Sequence, residues 1–131
     1  MEITKQDKRL IDEAKRVSRE FRRAKWKGHR ISGVGAALRV KDNKMFSGPN
    51  IDHPDSAPCS MCAEYSALSK AFSEGYTKIE TIVAYSDGRI MFPCGRCMEF
   101  LRLFGDPYII VSEGKRGTKL RLSAIHRFQN K

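Results

Sequence analysis

The chain has 131 residues, 40% of them apolar and 31% charged, with a formal net charge of +10. These values fit an ordinary soluble globular protein with one hydrophobic core, taken as a single domain over 1–131. No apolar run approaches the roughly 20 residues that span a bilayer, which excludes a helical membrane protein.

The first predicted element, over 4–24, is an amphipathic helix. Leu10, Ile11, Ala14, Val17 and Phe21 fall at helical spacing, and Lys, Arg and Asp fill the other face. Thr4 is the expected N-cap. Lys15, Arg16, Arg19, Arg22, Arg23, Lys25, Lys27 and Arg30 crowd this helix and the residues after it. Two readings stand: a surface that attracts a polyanion or a phosphorylated ligand, or a solvated helix face, which is the commoner case. Gly28 is expected to close the unit, with Trp26 packed near its end.

Residues 33–40 read as a strand whose small side chains let other backbone approach closely. Turn chemistry at 41–44 and a hairpin partner at 45–47 follow. The stretch 48–58 holds three prolines, two aspartates, an Asn and a His, and is predicted as a loop. From 62 to 74 the pattern is helical, with Ala63, Ala67 and Ala71 in one row, Leu68 and Phe72 in the next, and Gly75 as the stop. A buried strand is expected over 77–85, a turn at Asp87-Gly88, and a short helix over 94–104 with Cys97, Met98, Leu101 and Phe104 on one side. Strands at 108–111 and 119–122 and a last helical turn from Ser123 complete an α/β domain with helices on both faces of one sheet.

The N-terminus lacks the apolar stretch of a secretory leader, so a reducing cytoplasmic setting is expected, with the four cysteines serving a metal rather than two disulfides. Cys62-Ala63-Glu64 and Pro93-Cys94-Gly95-Arg96-Cys97 offer three thiolates to one ion. Three thiolates leave the fourth tetrahedral position of Zn²⁺ open to water, and the metal lowers that water's pKa toward neutrality. Glu64, a carboxylate that is not a ligand, is placed to carry protons between the water and a leaving amine. Each cysteine motif falls where a helix begins, and the helix dipole there favours the thiolate. Cys94 and Cys97 are one turn apart and share a side; Cys62 is expected at the very start of its helix.

Cys59 supplies a rival. Cys59-Ser60-Met61-Cys62 with Cys94-Gly95-Arg96-Cys97 is a CxxC…CxxC pair, the pattern of a closed structural zinc site. Against it, each pair opens a helix rather than sitting on a ribbon-like turn, and a structural site has no use for Glu64. Among the histidines, His29 and His126 sit among basic residues, and His53 is read as a loop residue.

Three features in order, Val34-Gly35-Ala36-Ala37-Leu38, Cys62-Ala63-Glu64 and Pro93-Cys94-Gly95-Arg96-Cys97, resemble the cytidine deaminases that act on free nucleosides, blasticidin S deaminase among them. The resemblance runs from about residue 31 to the C-terminus. It implies a three-layer α/β/α domain with a five-stranded mixed sheet, one Zn²⁺ per subunit, a small-molecule nucleoside as substrate, and a homotetramer, or a dimer, with sites at subunit contacts. Carried over by position, Cys62, Cys94 and Cys97 become the zinc ligands and Glu64 the proton shuttle. Asn50, Asp52, Ala63 and Phe128 become the substrate contacts, although Phe128 fits tail packing equally well. The family's pattern is broken at Tyr65 and at Met98-Glu99, where family members carry Arg and Arg-Gln to offset thiolate charge; Arg96 is the expected substitute. A cysteine as first ligand points away from nucleic-acid deaminases, which usually have His there, so nucleic acid is the less favoured partner.

Overall fold

The computed structural model describes residues 1–113 and 116–129; the side chains at 113, 116 and 126–129 lie outside the described ones. Thr4 caps α1 (Lys5–Phe21) as expected, and Asp7 completes a capping box. The Asp7 N–H donates to Thr4 Oγ1 at 3.1 Å, and the Thr4 N–H donates to Asp7 Oδ2 at 2.9 Å. Leu10, Ala14 and Val17 are buried, whereas Phe21 at the helix end is 38% exposed.

β3 (Gly35–Arg39) pairs antiparallel with β4 (Met45–Pro49) and with β5 (Thr81–Ser86). β5 pairs in parallel with β7 (Tyr108–Glu113), and β7 antiparallel with β8 (Arg116–Arg121). The sheet is therefore mixed, in the order β4-β3-β5-β7-β8. A sixth strand, β6 (Arg89–Met91), joins β5 over Ala84 to Ser86.

The period of two along each strand divides the core. Ala37, Val83 and Ile110 face α1 with Leu10 and Ala14. Ala36, Leu38, Ile82, Ala84, Ile109 and Val111 face the other way, against α2 (Ala63–Ser73), α3 (Gly95–Leu101) and the start of α4 (Leu122–Gln129). Three layers result. Leu10, Leu38, Ile82, Ile109 and Ile110 are at most 2% exposed, and each contributes about 1.5–3 kcal/mol on burial. Two glycines let the layers meet. A Cβ at Gly35 would stand 2.2 Å from the Ala14 carbonyl oxygen, and one at Gly48 would stand 2.1 Å from Ser66 Oγ.

Several elements differ from the sequence expectation. The helix stops at Phe21, and Lys27-Gly28 forms the turn of a small hairpin between β1 (Lys25–Trp26) and β2 (His29–Arg30), both turn residues at positive φ. Trp26 packs on His53, with ring centroids 5.4 Å apart. β5 begins at Thr81, because the Ile79 N–H is engaged by the Phe104 carbonyl outside the sheet. β6 pairs back across the Asp87-Gly88 turn, where Asp87 accepts a positive φ. Phe72 shares an apolar groove with Leu68 as expected, but it is 61% exposed and meets Phe104 edge-on.

Candidate metal centre

α2 and α3 begin with the same device, a cysteine at the N-cap with extended backbone. Cys62 precedes Ala63, the buried first residue of α2, and Cys94 precedes Gly95. Cys97 lies one turn into α3 and is buried, and its N–H donates to Cys94 Sγ at 3.4 Å. The three sulfurs of Cys62, Cys94 and Cys97 all lie within 4.8 Å of one another. Sulfurs held by a tetrahedral ion with bonds of about 2.3 Å stand about 3.8 Å apart, so a small contraction closes the triangle on a metal.

The chemistry of the donor set also fits a cation. Burial pushes the Cys97 thiol far up, and the Glu64 carboxylate and the other two sulfurs add to the rise. For Cys94, burial raises the pKa, but the Cys97 and Arg96 N–H groups outweigh it and favour the thiolate. Three thiolates and a carboxylate this close repel one another unless a positive ion lies between them. Cys59 is outside the group: it is exposed on a 3₁₀ turn (Ala57–Cys59) and accepts a hydrogen bond from Ser56 Oγ at 3.2 Å. Among the described residues the cluster is thus a trio, and the four-sulfur arrangement is not formed.

Glu64 sits in the first turn of α2, 7% exposed, and is not a member of the sulfur group. Burial raises its pKa above the ordinary carboxylate value, against lowering by its own backbone N–H and by Cys97. It lines a cavity of about 10 Å³ with Ala84, Met91, Pro93 and Leu101. Arg96 Nη2 donates to Cys62 Sγ at 3.8 Å, and the guanidinium lies over the Tyr65 ring. Arg96 thus occupies the place expected for a charge that offsets the thiolates.

The loop before Cys62 is tied down beside it, since Ile51 and Met61 exchange backbone hydrogen bonds of 2.9 and 2.7 Å. Asn50 is 7% exposed, and its Oδ1 accepts from Ser32 Oγ, Gly33 N–H and Val34 N–H at 2.9–3.1 Å. Its Nδ2 donates to Asp52 Oδ2 at 3.0 Å. Asn50 is a clamp on the strand entering the site, whereas Asp52 is exposed. Phe128 falls on α4, and its side chain lies outside the described residues. Of the basic cluster, Arg16 pairs with Glu13 and Glu20 within α1, and Arg22 with Asp87. The contact of Tyr65 with Arg96 has one trace in the sequence, an aromatic where the family carries an arginine.

Residues 4–113 match the model of a family described as the cytidine and deoxycytidylate deaminase zinc-binding region. A probable cytidine deaminase of Dictyostelium discoideum is 39% identical over 87 residues, which cover 65% of this chain and 58% of that protein. The blasticidin-S deaminase of Bacillus cereus is 33% identical over 89 residues, 61% of this chain and 63% of its own length. The match thus spans less than two thirds of either relative. The fold is that of the cytidine deaminase from Bacillus anthracis, with a TM-score of 0.75 at 20% identity over 92% of this chain and 86% of that one.

Proposed function

The chain belongs to the cytidine and deoxycytidylate deaminase zinc-binding family, and from that premise we propose that it is a hydrolytic deaminase of a free cytidine-like nucleoside, releasing ammonia. The observation that carries this reading is the trio of Cys62, Cys94 and Cys97 sulfurs with a buried carboxylate beside it that is not part of the trio. Those cysteines would hold the zinc, which supplies the Lewis acidity that makes water a nucleophile near neutral pH.

Glu64 does the proton work. Its carboxylate, made more basic by burial, takes one proton from the attacking water and delivers it to the ring nitrogen; it then takes the second proton from the hydroxyl that the water has become on the ring carbon and passes it to the amine, which leaves as ammonia. The amine-bearing ring carbon, C4 in a cytosine, loses its C–N bond and becomes a carbonyl. Burial makes Glu64 a stronger base than an exposed glutamate and keeps competing water away. Arg96 offsets the thiolate charge through Cys62. Asn50, Asp52, Ala63 and Phe128 form the substrate wall. The 131 residues act as one domain, assembled as a homotetramer in the cytoplasm and serving pyrimidine salvage.

A second reading, deamination of blasticidin S or another aminated heterocycle, is favoured by Arg96 between the paired cysteines and by the similarity to the Bacillus cereus protein. An editing domain on nucleic acid finds less support, because the first metal ligand is a cysteine and Arg16 of the basic cluster is already paired with Glu13 and Glu20. An ammonia-release screen over cytidine, deoxycytidine, blasticidin S and other aminated bases tests the proposal. Release from cytidine or deoxycytidine supports it, release from blasticidin S alone moves the assignment to the second reading, and release from none contradicts both.

A further inference from the structure

Tyr65 follows Glu64 on α2, and Arg96 lies between the paired cysteines on α3. Arg96 is exposed, and a long flexible side chain at an exposed position gains little from a single contact unless something holds its rotamer. Here the Tyr65 ring holds it. The Arg96 guanidinium carbon stands 5.1 Å from the Tyr65 ring centroid, and Tyr65 Oη donates to the Arg96 carbonyl oxygen at 3.5 Å. The ring itself is braced by Phe100, with centroids 4.3 Å apart and planes tilted by 48°, and Phe100 in turn meets Phe104. With its face on tyrosine, the planar guanidinium keeps its edge free to donate, and that edge reaches Cys62 Sγ at 3.8 Å.

We infer that Tyr65 is a positioning residue: it fixes Arg96 against the Cys62 sulfur and so sets the electron density that this thiolate gives to a bound metal. The inference rests on the reading of the cysteine trio as a zinc site. A planar cation is needed for it, since a lysine carries the charge but has no flat face to stack while donating. Groups that hydrogen-bond to metal ligands typically change metal affinity by about 10- to 100-fold when removed, and a support one step further out is expected at the lower end of that range.

The test uses the full chain and the metal alone. Zinc affinity is measured by competition with a chelator, and the thiolate-to-metal absorption band is recorded after Co²⁺ substitution. Tyr65→Leu is expected to weaken zinc binding about tenfold and to shift the Co²⁺ band as Arg96→Ala does. Tyr65→Phe, which keeps the ring, is expected to stay within about twofold of the parent. In the Arg96→Ala background Tyr65→Leu is expected to add nothing, because the two residues act as one unit. Tyr65→Met retains packing on Phe100 without an aromatic face and gives the same readouts if the leucine variant does not fold. An unchanged affinity and band in the leucine or methionine variant overturns the inference, and so does a loss of the same size in the Arg96→Ala background. A parent chain that takes up no zinc refutes the zinc reading as well; a zinc-loaded parent indifferent to Tyr65 refutes this inference alone.

Discussion

The two faces of the sheet bury charge in opposite ways. On the α1 face Asp7 is 0% exposed and receives Thr4 N–H, Arg39 Nη2 and Lys119 Nζ at 2.9–3.1 Å. Arg39 also reaches Thr81 Oγ1 at 3.1 Å and Glu80 at 3.4 Å, and among the described side chains only its Nη1 is buried without a partner. That cluster contains its own cations. On the opposite face the cysteine trio and buried Glu64 gather four acidic groups, and Arg96, which donates to Cys62, is exposed at the rim. A buried cluster balanced within itself holds a fold together, whereas a cluster of acidic donors whose neighbouring cation stands at the rim is suited to receive an ion.

Glu64→Gln should lower turnover by about 10²- to 10⁴-fold while zinc content, measured by elemental analysis, stays at the parent level. If more than a few per cent of activity survived, Glu64 would not be the proton carrier. Asp7→Ala is expected to do the reverse. Leaving Arg39 and Lys119 buried without their anion should cost about 3–5 kcal/mol in denaturant unfolding, with the zinc stoichiometry of the folded protein unchanged. A loss of bound metal in that variant would break the division of labour between the faces.

Acid titration sharpens the same point. Burial pushes the Asp7 carboxyl up, but the Thr4 N–H, Lys119 and Arg39 hold it below the usual carboxylate range. A lowered folded-state pKa stabilises the protein fully above the unfolded value of about 3.9. That contribution is lost as pH falls through the lower, folded value. Unfolding midpoints measured from about pH 6 downward should therefore drop in the acid range, and Asp7→Asn should flatten that drop. Thr4→Ala, which removes the cap but leaves the ion cluster, should cost about 1 kcal/mol.

The cysteine motifs were legible because ligand spacing is local: one helical turn sets Cys94 beside Cys97, and an N-cap sets Cys62 at the head of α2. The layering was legible because strand alternation and the 3.6-residue period are written residue by residue. The ion cluster was not, since Asp7, Arg39 and Lys119 come from three distant elements and each reads alone as a surface charge. The β1–β2 hairpin was missed because Lys27 adopts a positive φ, which lysine seldom does. The Tyr65–Arg96 stack joins two motifs whose separation only the fold closes.

X-ray absorption at the zinc edge of the metal-loaded chain counts the sulfurs on the ion. A catalytic centre gives three sulfurs at about 2.3 Å and one lighter atom at about 2.0 Å, unchanged when Cys59 is replaced by Ala. Four sulfurs in the parent, falling to three in the Cys59→Ala variant, would contradict it and make the centre a structural clasp.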